Sequence, residues 1–267
     1  LWDRWRRTRR PGRTAAIPRQ VLLLAFIAIL THPILDTLNT YGVRWLMPFS
    51  EQWFYGDTLF IADPWAWLFL GAGTWLSRRR ERQGGREPWS PARRGIALFA
   101  VYVAVMIAGS VTAHGLVEGA YRRLAGRSPV RVLAAPVAVT PFRRSLVIEE
   151  PDTYRVGTFH WLPYPHVEGG RDFSVPDDEL LEEPFMSAAA TPEGAAFLRW
   201  ARFPTLLATG PESDQSVYII DLRYATEPGA PFGTIRIPAP GDRDILVRRP
   251  REDGRRHAHP SRKRNDG

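Results

Sequence analysis

Thr31-His32-Pro33-Ile34-Leu35-Asp36-Thr37-Leu38-Asn39-Thr40-Tyr41-Gly42 closes an apolar run that extends over 21–30. The stretch carries a histidine and an aspartate four residues apart. On a helix that spacing puts both side chains on one face, with Cβ atoms about 5–6 Å apart. An imidazole and a carboxylate held in this way can share a divalent metal. Asn39, Thr40 and Tyr41 follow directly and are candidates for contact with a substrate. Ionisable groups inside a hydrophobic segment are costly unless they are paired, coordinated or wet, so the pair is a candidate site. The bland alternative is a His–Asp hydrogen bond at a membrane surface.

The neighbouring residues read as membrane. Segment 20–38 reaches the ~20 residues of a span only if His32 and Asp36 are included. Pro33 removes a backbone donor, which predicts a kink or break there, or a helix that begins at Pro33. Residues 41–56 include Trp45, Pro48, Phe49, Trp53, Phe54 and Tyr55, an aromatic composition that suits a membrane–water interface, and Asp57 closes this loop. A second span over 58–76 is interrupted by Asp63-Pro64. Asp63 is either the N-cap of a helix opening at Pro64 or a metal ligand, and the two roles are compatible. After a basic loop at 77–94, residues 96–117 form the cleanest apolar run. His114 and Glu118 near its end repeat the i, i+4 spacing and read as an interfacial salt bridge rather than a second ligand pair.

Charge decides orientation. The 267 residues contain 36 Lys and Arg against 28 Asp and Glu, a formal net charge of +8. A basic chain can bind nucleic acid. Here, however, the arginines cluster at 4–19, 78–94 and 248–264, and the first two clusters flank apolar runs as cytoplasmic loops do. No nucleic-acid partner is expected. With those loops in the cytoplasm, three spans cross a bacterial inner membrane, and 41–57 and everything after 117 lie on the periplasmic side. Cysteine is absent, so disulfides and thiolate sites are excluded. The chain opens on Leu1 rather than Met, which reads as a fragment or a processed product, with 1–19 as a basic cytoplasmic loop.

From about residue 128 the pattern changes to short β-like runs at 130–139, 145–148, 154–161, 217–222, 234–237 and 245–247, bounded by Pro, Gly and Asp. Residues 191–203 predict one helix, with Thr191 as its cap and Pro192 at its first position. Residues 177–183 are acidic and loop-like. Asp221 and Arg223, two apart on a strand, read as a structural salt bridge. The expected fold is an α-helical membrane domain of about three transmembrane helices over 20–120, then a small α+β or mostly β soluble domain over 128–247. A disordered basic tail over 248–267 follows, and its His257 and His259 receive no function.

One ordered set of motifs resembles a known family. His32-Pro33-Ile34-Leu35-Asp36-Thr37-Leu38-Asn39-Thr40-Tyr41-Gly42, then Pro48-Phe49-Ser50, then Phe60-Ile61-Ala62-Asp63-Pro64 resembles the YdjM-like inner-membrane proteins. These are labelled membrane-bound metal-dependent hydrolases. Their His-Arg-Gly-x-Thr-His-Ser stretch, which precedes these elements, does not occur here, as expected of a member that is N-terminally truncated or has lost those ligands. The resemblance implies metal ligation by His32 and Asp36, with Asp63 and Asp57 contributing and zinc as the expected ion. It implies an ester or phosphoester substrate, such as a membrane lipid headgroup, hydrolysed by metal-activated water at the outer face. The competing reading is a non-enzymatic membrane anchor that presents a periplasmic binding domain. The C-terminal half is outside the resemblance.

Overall fold

The computed structural model describes residues 17–176, 178–210 and 216–237. The expectations for 1–16, for a strand at 245–247 and for the basic tail with His257 and His259 lie outside the described residues.

Helix α1 covers Pro18–Thr37, and its large apolar side chains, from Val21 to Leu35, are exposed on all sides. A helix that is apolar all round suits a lipid environment. The break expected at Pro33 does not occur, because the chain stays helical across it. The missing N–H leaves the Ile29 carbonyl without its ladder donor, a loss of one hydrogen bond that the helix carries without breaking. One turn on, the Thr37 hydroxyl donates to the Pro33 carbonyl at 2.7 Å.

Helix α2, Pro64–Arg82, opens where Asp63-Pro64 dictates. The Asp63 carboxylate accepts from the N–H groups of Trp65 at 2.9 Å and Ala66 at 3.2 Å. Arg79, Arg80 and Arg82 occupy its last turn, where positive charge complements the helix dipole. Helix α3, Ser90–Ala125, is 36 residues long, roughly 54 Å at 1.5 Å per residue. By length and composition two of these helices, α1 and α3, can cross a membrane. The arginines that begin at Arg78 leave α2 a shorter apolar stretch. Helices α2 and α3 run antiparallel, with Gly73 against Gly95: a Cβ at Gly95 would lie 2.5 Å from the Phe69 carbonyl oxygen. Small residues let membrane helices approach this closely.

Four antiparallel strands follow in meander order: β1 Arg131–Pro136, β2 Arg143–Glu149, β3 Thr153–His160 and β4 His166–Ser174. Helices α4, Asp178–Ala189, and α5, Pro192–Trp200, lead to a second antiparallel sheet of β5 Pro204–Thr209, β6 Ser216–Asp221 and β7 Thr234–Arg236. Thr191 caps α5 as expected, accepting from Gly194 N–H at 3.1 Å, and the helix ends at Trp200. The acidic segment opens α4 instead of forming a loop. Its Glu and Leu residues are good helix formers, and negative charge suits a helix N-terminus.

The first sheet is covered on both faces, following the two-residue period of strands. On one face Val132, Ala134, Leu146, Ile148 and Phe159 pack with Ala113, Val117 and Tyr121 of α3. On the other, Leu133, Ala135, Val147, Tyr154 and Phe173 pack with Phe203, Ile220 and Leu222 from the second sheet and its flanks. The apolar run at 96–117 is therefore divided, its last turns facing protein as the central helix of the C-terminal half.

Candidate membrane-interface site

The i, i+4 spacing brings His32 and Asp36 together. His32 Nε2 lies 3.2 Å from Asp36 Oδ2, with the two side chains 81% and 39% exposed. Both line a cavity of about 750 Å³ between α1 and α2. Its walls are apolar for most of their length, with Leu35, Leu59, Ile61, Trp67, Leu70 and Trp75 prominent. Asp36, Asn39 and Asp63 gather at one end, and Arg78 stands at the other. Asp63 and Arg78 are separated by most of α2, about 22 Å.

Asn39 is buried, and its side-chain oxygen accepts from Tyr41 N–H at 2.7 Å and Gly42 N–H at 3.1 Å. This Asx turn reverses the chain as it leaves α1. Gly42 takes a φ of 86°, which is why glycine stands there. Asp63 uses one carboxylate oxygen to cap α2 and the other to accept the Tyr102 hydroxyl at 2.8 Å. His32, Asp36, Asn39 and Asp63 thus surround one cavity.

The remaining expected residues are placed elsewhere. Asp57 pairs with Arg202 at 2.7 Å, and its carbonyl accepts from Ser110 and Arg144. Those contacts hold it at a left-handed φ of 48°. The Thr40 carbonyl accepts Arg223 Nη1 at 2.8 Å, and Tyr41 packs on Trp200 with ring centroids 5.1 Å apart. These three residues join segment 40–57 to the C-terminal half.

The donor set of His32 and Asp36 is one that zinc accepts, and both side chains reach the cavity. A family model described as YdjM inner membrane protein matches residues 1–116. Over these residues, fewer than half of the 267, the chain is similar to the YdjM inner-membrane proteins. The matched region holds α1, α2, most of α3 and the whole cavity, and it ends before β1. No curated protein and no solved structure matches the chain.

The junction between the matched region and the sheets was not legible in the sequence beyond the Asp221–Arg223 pair. That pair is fully buried at 2.7 Å, and Arg223 also donates to the carbonyls of Thr40 and Trp200. Burial pulls the Arg223 pKa down, but the charge and hydrogen bonds of Asp221, with Tyr224 and Tyr55 behind them, together outweigh it, so the net shift is upward. Arg144 has no such carboxylate in contact. Burial pushes it down to about 10, against a weaker pull from Asp57.

Proposed function

We propose that the matched region is a metal-dependent hydrolase acting on an ester or phosphoester of a membrane lipid at the outer face of the inner membrane. The observation that carries this reading is the His32–Asp36 pair at the polar end of an apolar cavity. A zinc ion held by the two side chains would supply water acidified toward neutral pH. The chain's own residues do the rest. Leu35, Leu59, Trp67 and Leu70 receive the acyl portion and exclude water. Asn39 fixes the end of α1 through its turn. Asp63, committed to the cap and to Tyr102, keeps the start of α2 in place beside the pair. In this reading α1, α2 and α3 each cross the bilayer, the arginine-rich loops lie in the cytoplasm, and the sheets lie in the periplasm.

The test is metal content of the protein purified in detergent. Wild-type chain should hold near-stoichiometric zinc or manganese in the cavity and release it to a chelator. The His32→Ala/Asp36→Ala variant should lack that equivalent. Equal metal content in the two would remove the reading.

A second reading has its own support. The outer end of α3 is the central helix of the C-terminal core, so the membrane helices also present the sheets rigidly. A membrane anchor of this kind would be indifferent to chelators and to both substitutions.

A further inference from the structure

We infer that the β3–β4 hairpin carries a second site, for a borderline divalent ion such as zinc, built from His160, His166 and Glu168. Strand register puts the three side chains on one face. His160 stands opposite His166, and Thr158 opposite Glu168. Counting back by twos from Phe173, which faces the core beside Tyr154, would give 171, 169 and 167. An extra residue on β4 at Gly169-Gly170 shifts that phase by one, as a β-bulge does, and turns His166 and Glu168 toward His160. Gly169 holds the bulge with a φ of 71°.

The side chains converge. One ligand atom from each of the three lies within 4.8 Å of the other two. His160 Nε2 is 2.9 Å from Glu168 Oε2, and the two imidazoles stack at 5.0 Å with planes 15° apart. His166 Nδ1 lies 2.8 Å from the Tyr164 carbonyl oxygen, which can only accept, so Nδ1 carries the proton. In the neutral ring this leaves the Nε2 lone pair free. A metal-ligating histidine is oriented in this way, its other nitrogen donating to a backbone carbonyl. Two imidazoles and one carboxylate, with further positions open to water, select zinc, nickel or copper over magnesium or calcium. His160 is held on the strand with its side chain 13% exposed, and Glu168, at 69%, is free to swing onto the ion.

This inference is independent of the cavity reading, and its test keeps the two apart. The full chain in detergent, carrying His32→Ala, Asp36→Ala, His257→Ala and His259→Ala, is titrated with zinc and separately with cobalt. One equivalent of zinc should bind, the cobalt complex should show visible absorption from nitrogen and oxygen ligation, and zinc should raise Tm. Adding His166→Ala should weaken zinc binding more than about tenfold and abolish the Tm rise, and Glu168→Gln should weaken it in the same direction. Glu168 is exposed, so the second variant tests the site even where His166→Ala fails to fold. Absence of zinc binding to the fourfold variant, or unchanged affinity on adding Glu168→Gln, would overturn the inference.

Discussion

Arg144 Nη2 donates to the carbonyl oxygen of Met106 at 3.1 Å, so a guanidinium from β2 ends against the backbone of a membrane-length helix. Arg144 Nη1 also reaches the carbonyls of Ala134 and Asp57, at 3.1 and 3.2 Å. One side chain, 1% exposed, therefore joins the first sheet, α3 and the end of the 41–57 loop. The charge is met by carbonyl dipoles, with no carboxylate oxygen among its described hydrogen bonds. Burial therefore lowers its pKa.

Arg144→Ala should lower stability by about 3 kcal/mol or more, since three buried carbonyls lose a charged donor and a large side chain leaves a void. Thermal unfolding in detergent measures it. Limited proteolysis between α3 and β1 should accelerate in parallel. Arg144→Lys keeps the charge but not the reach of the fork, and should fall between the two.

Asp221→Ala should cost about 3–5 kcal/mol, because it leaves Arg223 charged and buried without its partner. The same carboxylate accepts the Arg202 N–H at 2.8 Å, so the start of β5 loosens as well. Asp221→Asn keeps the shape and should cost less. Urea midpoints of the three proteins rank the effects.

The His32–Asp36 pairing, the helix start at Pro64 and the cap at Thr191 were legible because each depends on residues within four positions. The helix through Pro33 was not, since proline's local preference predicts a break and does not report the surroundings in which an unbroken helix wins. The division of the run at 96–117 was hidden for a different reason. Ala113 and Val117 are as apolar facing Leu146 as they would be facing lipid. Strand β4 lacks alternation because Gly169-Gly170 interrupts it, which concealed both the strand and the convergence of His160, His166 and Glu168. The contact of Arg223 with Thr40 spans most of the chain and has no local signal.

Alkaline pH should destabilise the C-terminal half. Burial, aided by the Glu149 charge, pushes the Tyr154 phenol from 10.0 up to about 12. Between those values the folded chain keeps a proton that the unfolded chain has released. The stabilisation is full below pH 10 and is lost as pH rises through the folded value. The loss is on the order of 2 kcal/mol. Tyr224, also raised by burial, acts in the same direction. Tyr154→Phe should flatten the decline above pH 10, as read from denaturant midpoints across pH.

Asp63 separates structure from ligation. One of its oxygens caps α2 and the other accepts the Tyr102 hydroxyl. Asparagine caps a helix about as well as aspartate, and its carbonyl oxygen can take one of these roles, whereas alanine can take neither. Asp63→Ala should therefore cost about 1–2 kcal/mol. Asp63→Asn should cost only a fraction of that and leave the metal content of the cavity unchanged. A carboxylate that bound the ion directly would behave otherwise, because asparagine would preserve the fold and lose the metal. Parallel Tm and metal measurements on the two variants distinguish a residue that positions α2 from one that holds the ion beside His32 and Asp36.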